Sequence, residues 1–319
     1  MGRDLRPAAW PTVPLATKQG EYQAIAPLII SASRATDIPA FHMAWFMRRL
    51  REGYCVWVNP FNRIRQYVSF CHCKFIVFWS KNPAPLVSRL AELRDRGLDV
   101  YVQFTLNDYE AEGLESGLPS LQRRMETFAR LSALLGRERV LWRFDPLLLG
   151  TGLPVEALLA RINRLAGTMQ YLTDTLTFSY IDIALYAKVR SRMQKRFPTI
   201  REPGNEEALR LATGIAQCNA TLQSPLMLAS CAEHAALAPG GIRPASCVDA
   251  ARISRLRPGT AITLPARDKG QRAACGCAPS KDIGAYGTCM HLCEYCYANA
   301  SENAVRARLA RCDAASEAL

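Results

Sequence analysis

A chain of 319 residues that is 49% hydrophobic and 21% charged has globular composition and forms one large domain or two small ones. It holds no apolar run near the roughly 18 residues that cross a membrane, and its first twenty residues, rich in proline and polar side chains, lack the apolar core of a secretory signal, so a cytoplasmic protein without a membrane partner is expected. The net charge of +12, from 40 Lys and Arg against 28 Asp and Glu, admits nucleic acid or another polyanion as a partner, although the basic residues are spread along helical stretches such as 188–196 and 306–311 and no nucleic-acid motif accompanies them.

Residues 1–24 read as an N-terminal extension. From residue 25, short runs rich in β-branched and aromatic side chains alternate with amphipathic stretches. The runs predict strands at 28–31, 55–58, 75–79, 100–105, 140–144, 176–180 and 226–229. The stretches between them predict helices at 40–51, 85–96, 120–135, 155–166, 184–196 and 206–219. Residues 63–70 add a strand to a hairpin after Phe61-Asn62. Strands alternating with helices imply right-handed βαβ units and a parallel sheet. About seven repeats fit an α/β fold, a (β/α) barrel of TIM type or a partial barrel, over residues 25–238, with an open sheet as the alternative. From about Pro239 glycine, proline and cysteine become frequent, and residues 239–319 read as an irregular, cysteine-rich, cluster-binding cap with one helix at 298–311.

Polar residues gather just after the predicted strands: 33–37, Asn59, 80–82, Asn107-Asp108, Arg143 with Asp145, Asp182, and Cys231 with Glu233. A barrel brings such positions to one rim, where active sites are built. Thr36 or Asp37 caps the following helix, with Pro39 in its first turn. Capping leaves Arg34 available to pair with a carboxylate. Lys81 stands at a strand end. Arg143 and Asp145 alternate to one side and form either a structural ion pair or part of a site, since buried pairs are costly unless well hydrogen-bonded. Gln103, Thr105 and Asn107 share a face whose polarity a ligand explains better than packing. Arg34, Lys81, Asn107, Arg143 and Asp145 are therefore the candidate binding residues for cofactor or substrate.

Twelve cysteines in a chain without an export signal favour metal over disulfides. Three stand in CMHLCEYCYAN as Cys289, Cys293 and Cys296, with Tyr295 before the last. A cubane cluster normally takes four thiolates, so three on one loop would leave an iron open to a small molecule. The competing reading is structural zinc with His291 as a fourth ligand. Cys275-Gly276-Cys277, with Cys231 and Cys247 upstream, could close a second site: an auxiliary iron–sulfur cluster, a structural zinc, or separate buried thiols. Cys71-His72-Cys73 reads as core packing with Cys71 and Cys73 on one strand face, and Cys55, Cys218 and Cys312 as unpaired structural residues. No phosphate-binding loop, zinc-protease helix, dinucleotide fingerprint or nucleophile elbow is present.

The C-x3-C-x-aromatic-C spacing resembles the signature of radical S-adenosylmethionine (SAM) enzymes. The resemblance implies a [4Fe-4S] cluster on Cys289, Cys293 and Cys296, and SAM chelating the fourth iron through its amino and carboxylate groups. It further implies Tyr295 near the adenine, reductive SAM cleavage to methionine and a 5′-deoxyadenosyl radical, hydrogen abstraction from a substrate, and an electron donor such as flavodoxin or ferredoxin. In that superfamily the motif follows the first barrel strand, whereas here it follows nearly all strands, so a permuted arrangement is expected. The runs IISASRATDIPAF, NPFN, IVFWSKNP, QFTLNDYE, RVLWRFDP, CAEH, KGQRAACGC and DIGAYGTCMHLCEYCYAN, spanning most of residues 28–300, resemble a bacterial family catalogued as domain of unknown function 1848, a likeness that carries no reaction with it. A radical SAM-like enzyme is the expectation. The alternatives are a non-catalytic binding module stabilised by zinc or iron–sulfur, with nucleic acid as a candidate partner, and an enzyme that works at the polar rim with purely structural clusters.

Overall fold

Strand chemistry and loop length decide how the chain divides between two sheets. The structure, a computed structural model, describes residues 10–231, 240–258, 268 and 275–319. A hairpin of β1 (Thr12–Thr17) and β2 (Gly20–Ile25) precedes β3 (Ile29–Ala32), α1 (Ile38–Phe41) and α2 (Met43–Glu52). A second hairpin, β4 (Tyr54–Val58) and β5 (Arg65–Ser69), leads to β6 (Phe75–Ser80), α3 (Ala84–Val87), α4 (Leu90–Asp95), β7 (Asp99–Thr105), α5 (Leu121–Leu135), β8 (Val140–Leu147), α6 (Val155–Met169) and β9 (Thr175–Tyr180). Then come α7 (Ala187–Arg196), α8 (Asn205–Ala220), β10 (Met227–Ser230), β11 (Arg243–Pro244), α9 (Ala250–Leu256), β12 (Lys281–Asp282) and α10 (Glu302–Leu309).

The main sheet has eight strands in the order β11-β10-β9-β8-β7-β6-β3-β12, with neighbours parallel throughout. A closed TIM-type barrel is not formed among the described residues: β11 and β12 are edge strands of two residues each, and no pairing joins them. Closure requires full-length strands in a consistent stagger, which two such short edges do not supply. The strand expected at 55–58 also lies outside the parallel series. Its loop to β5 is too short for a parallel crossover, so β4 and β5 pair antiparallel in a separate sheet of order β1-β2-β5-β4. That sheet takes in residues 12–25, so most of the described part of the expected N-terminal extension is folded onto the body. Cys71 and Cys73 do not share a strand face: they sit in the turn between β5 and β6, with Cys71 exposed and Cys73 buried.

Alternation along the main strands gives each face its character. Ile76, Phe78, Val100, Val102, Phe104, Val140, Trp142 and Phe144 pack with the helices in the large core. The other face is apolar at the strand starts, with Ile29, Phe75, Val77, Tyr101 and Leu141, and polar toward the strand ends, with Gln103, Arg143 and Thr177. The C-terminal segments cover the apolar part of this inner face through Ala245, Cys247, Val248, Ile253, Cys277 and Ala278. Tyr101 Oη and Gln103 Nε2 both donate to the Cys247 carbonyl, at 2.6 and 2.8 Å, so the cap itself satisfies Gln103. No helix among the described residues is long and apolar enough to cross a membrane.

The last edge strand is locked by Asp282. Its carboxylate accepts from Ser31 Oγ (2.9 Å), Ser33 Oγ (2.7 Å) and the backbone N–H groups of Arg34 (2.7 Å) and Gly284 (3.0 Å). The approach is so close that a Cβ on Gly284 would stand 2.0 Å from Ser33 Oγ. Gly284→Ala is therefore expected to destabilise the protein by about 1–3 kcal/mol. Gly167→Ala in α6, where nothing lies within 4 Å of the added carbon, should stabilise by about 0.5–1 kcal/mol. Denaturant unfolding of the two variants measures both, and equal stability of the two would refute the locking contact.

Candidate functional site

The C-terminal strand ends meet at one cavity of about 1010 Å³. Ser33, Arg34 and Asp37 reach it from beyond β3, Trp79 to Lys81 from β6, Thr105 from β7, Arg143 and Asp145 from β8, Ser179 from β9, and Cys231 from just beyond β10. Both cysteine groups line the same space: Cys289, Cys293 and Cys296 with Tyr295, and Cys231, Cys247, Cys275 and Cys277. Asn59 and Asp182 line it as well. Asn107 does not; it is 0% exposed and sits behind the wall. Glu233 lies outside the described residues.

The three-cysteine loop is held at several points. Asp37 is the N-cap of α1, accepting from Ala40 N at 2.9 Å. It also accepts from Ser80 Oγ (2.7 and 2.9 Å), Lys81 N (2.8 Å) and His291 Nε2 (2.7 Å). Burial acts to raise the Asp37 pKa, but the His291 contact and the other donors outweigh it and hold the carboxyl below its usual value. His291 is thereby committed to Asp37, which argues against its serving as a fourth metal ligand. The second pin is Glu115, which accepts from Lys81 Nζ at 2.7 Å, from Asn107 Nδ2 at 3.2 Å and from the Tyr295 phenol. Lys81 Nζ also donates to Tyr295 Oη at 2.8 Å, and Asn107 Nδ2 to the same oxygen at 3.1 Å. Against the cost of its own burial, the charges of Lys81 and Arg124 keep the Glu115 pKa low; burial and then Glu115 push the Tyr295 phenol well up.

Two further contacts fix the loop backbone. Arg192 of α7 donates to the carbonyls of Glu294 (2.6 Å), Cys296 (3.1 Å) and Asn299 (2.8 Å), filling acceptors that an irregular segment would otherwise leave open. Gly117 N donates to the His291 carbonyl at 3.2 Å, and a Cβ at Gly117 would lie 2.5 Å from that oxygen. Burial pushes the Cys289 and Cys293 thiols upward. The loop thus presents three undisulfided sulfurs to the cavity, a donor set that fits a cluster with one site open.

The second cysteine group packs against the strand ends. Cys231 Sγ lies 3.8 Å from Cys247 Sγ, and Arg143 Nη1 donates to Cys247 Sγ at 3.1 Å. Arg143 also pairs with Asp145 at 2.5 Å, and the other oxygen of Asp145 accepts from Ser179 Oγ. Trp79 carries two cations, Arg34 at 5.0 Å and Arg143 at 5.4 Å from the ring centroid. Among the described residues no three His, Cys, Asp or Glu side chains gather around a point the size of a single metal ion.

Arg34, Lys81, Arg143 and Asp145 thus stand on one cavity wall with both cysteine groups, as the rim argument expected, while Asn107 braces the wall from behind by accepting from Asp145 N at 2.8 Å and donating to Tyr295. Sequence reasoning missed Glu115, Arg192 and Asp282, each of which has a partner far away in the chain, Tyr295 at 180 positions, Glu294 at 102 and Ser31 at 251, that leaves no local signal.

The family model described as domain of unknown function (DUF1848) matches residues 29–298. Comparison with curated proteins and with solved structures gives no significant match.

Glu115 is the only carboxylate within hydrogen-bonding distance of Lys81 among the described residues, and Arg124 Nη1 stands 3.6 Å away in a longer ion pair. Glu115→Ala strands Lys81, leaves Arg124 with Glu110 alone at 3.6 Å, and is expected to cost about 3–5 kcal/mol in denaturant unfolding, with Glu115→Gln falling between it and wild type. A cost below about 1 kcal/mol for Glu115→Ala would show that the loop does not depend on this charge.

Proposed function

We propose that this chain, which belongs to the DUF1848 family, is a radical SAM-type enzyme in which Cys289, Cys293 and Cys296 hold an open [4Fe-4S] cluster. The observation that carries the reading is the placement of those three thiols on one cavity with the polar ends of five parallel strands. In this reading the sheet works as a partial barrel in permuted order, its rim built by β3 and β6 to β9 and completed by the last loop of the chain. With SAM bound, such a cluster supplies one-electron reductive chemistry that ends in hydrogen abstraction from a substrate, fed by a donor such as flavodoxin or ferredoxin.

The chain's own residues bind and orient. Lys81 and Glu115 fix the Tyr295 ring in the wall, where its flat face suits an adenine. Arg34 has a buried Nη2 without a hydrogen-bond partner among the described residues, and a guanidinium so placed suits the carboxylate of SAM or substrate. Arg143 and Asp145 offset each other's charge and shape the wall between Trp79 and Ser179. A cavity of about 1010 Å³ stands at the upper end of small-molecule sites and has room for SAM together with a small substrate.

Anaerobically reconstituted protein is expected to be brown and, with dithionite, to turn SAM into 5′-deoxyadenosine. Cys293→Ala should abolish that product and lower the iron content while leaving the circular dichroism unchanged. Colourless protein with one equivalent of zinc and no SAM cleavage, or a folded Cys293→Ala variant with full cleavage activity, would overturn the reading.

A further inference from the structure

We infer that Cys231, Cys247, Cys275 and Cys277 hold a second iron–sulfur cluster, ligated completely by thiolates and facing the same cavity as the three-cysteine loop. The four residues come from three separate segments, after β10, after β11 and before β12. All four line one cavity, Cys231 Sγ lies 3.8 Å from Cys247 Sγ, and the Cys277 thiol neighbours those of Cys247 and Cys275. Four thiols drawn from three segments supply the complete four-thiolate set that such a centre takes.

The surroundings are built for negative charge on these sulfurs. Arg143 is 3% exposed, and a buried guanidinium is costly without charged or strong acceptors. One of its amino groups is used on Asp145 and the other points at Cys247 Sγ. Arg34 lies beside Cys277. Val248 N donates to Cys277 Sγ at 3.4 Å, the kind of N–H···S contact that surrounds cluster thiolates. Tyr101 and Gln103 anchor the Cys247 carbonyl to the inner sheet face, so the site is rigid on its sheet side.

The donor set fits either centre at its first pair: Cys231 and Cys247 at 3.8 Å have the spacing of two thiolates on one tetrahedral metal, zinc or iron. No three of the described side chains surround a single ion-sized point, and a polynuclear centre spreads its four thiolates over different irons. With all four protein ligands in place this centre has no open iron, so SAM does not bind to it.

The site stands independently of the three-cysteine reading, and the test keeps the two apart. After anaerobic reconstitution with iron and sulfide, a Cys289→Ala/Cys293→Ala/Cys296→Ala variant is expected to retain iron, acid-labile sulfide and a reduced-cluster electron paramagnetic resonance signal that SAM does not change. A Cys247→Ala/Cys277→Ala variant should lose that signal, with about half of the iron if both centres are cubanes, and keep a signal that SAM shifts. The second cluster is overturned if the folded triple variant holds neither iron nor sulfide, or holds one zinc instead. Should the triple variant fail to fold, the double variant decides: wild-type iron and sulfide content refutes the site, and loss of a SAM-insensitive signal supports it. Failure of the three-cysteine reading looks different, because wild type would then show only the SAM-insensitive signal and the triple variant would keep all the iron.

Discussion

Two buried carboxylates, Asp37 and Glu115, govern how this chain closes on itself. A carboxylate removed from water is tolerated only when its oxygens are hydrogen-bonded. Asp37 obtains part of its set locally, from Ala40, Ser80 and Lys81, and the rest from His291, 254 positions later. Glu115 likewise draws on Lys81 and Asn107 nearby and on Tyr295, 180 positions later. The final loop completes the rim, and the rim supplies hydrogen-bond partners to the loop. Lys81 joins the two requirements, giving its backbone N–H to Asp37 and its ammonium to Glu115.

The same logic runs across the inner sheet face. Each strand starts apolar and ends polar, so a cap can bury the first part while the second stays available to ligands. Where the cap reaches polar ground it brings its own acceptors: the Cys247 carbonyl meets Tyr101 and Gln103, and Asp282 meets Ser31 and Ser33. The cavity that remains is walled by charges already matched, Arg143 with Asp145 and Lys81 with Glu115. Both cysteine groups open into it, which is why the proposed functions of the two groups concern a single space.

Much of the strand and helix series could be read from the residues. Runs such as FIVFW and VYVQF were legible because β-branched and aromatic side chains buried on both sides leave a continuous apolar string. A cap at Thr36 or Asp37 was legible because Thr-Asp-Ile-Pro places capping groups and the proline at fixed offsets, and in the structure the cap is Asp37. The hairpin that joins residues 54–58 to the strand after Phe61-Asn62 was legible from its short return, but its place in a separate sheet was not, since apolar content looks alike in a parallel strand and in an antiparallel hairpin. Gln103 and Asn107 were expected to face a ligand. Their partners, Cys247 at 144 positions and Tyr295 at 188 positions, are supplied by the cap and the last loop, and no local pattern announces them.

The sequence alone determined the chemistry on offer: three cysteines with a tyrosine on one short loop, four more between residues 231 and 277, and a cation or carboxylate after most strands. These are properties of residue type and spacing, and they hold whatever the fold. Tertiary structure decided which of those groups share a cavity, that among the described residues the parallel sheet ends in two short edge strands, and that Asn107 braces the wall from behind while Arg143 turns one amino group toward Cys247. Those outcomes depend on contacts between residues far apart in the chain, where the requirement to satisfy each buried charge selects one arrangement among the many that the local patterns allow.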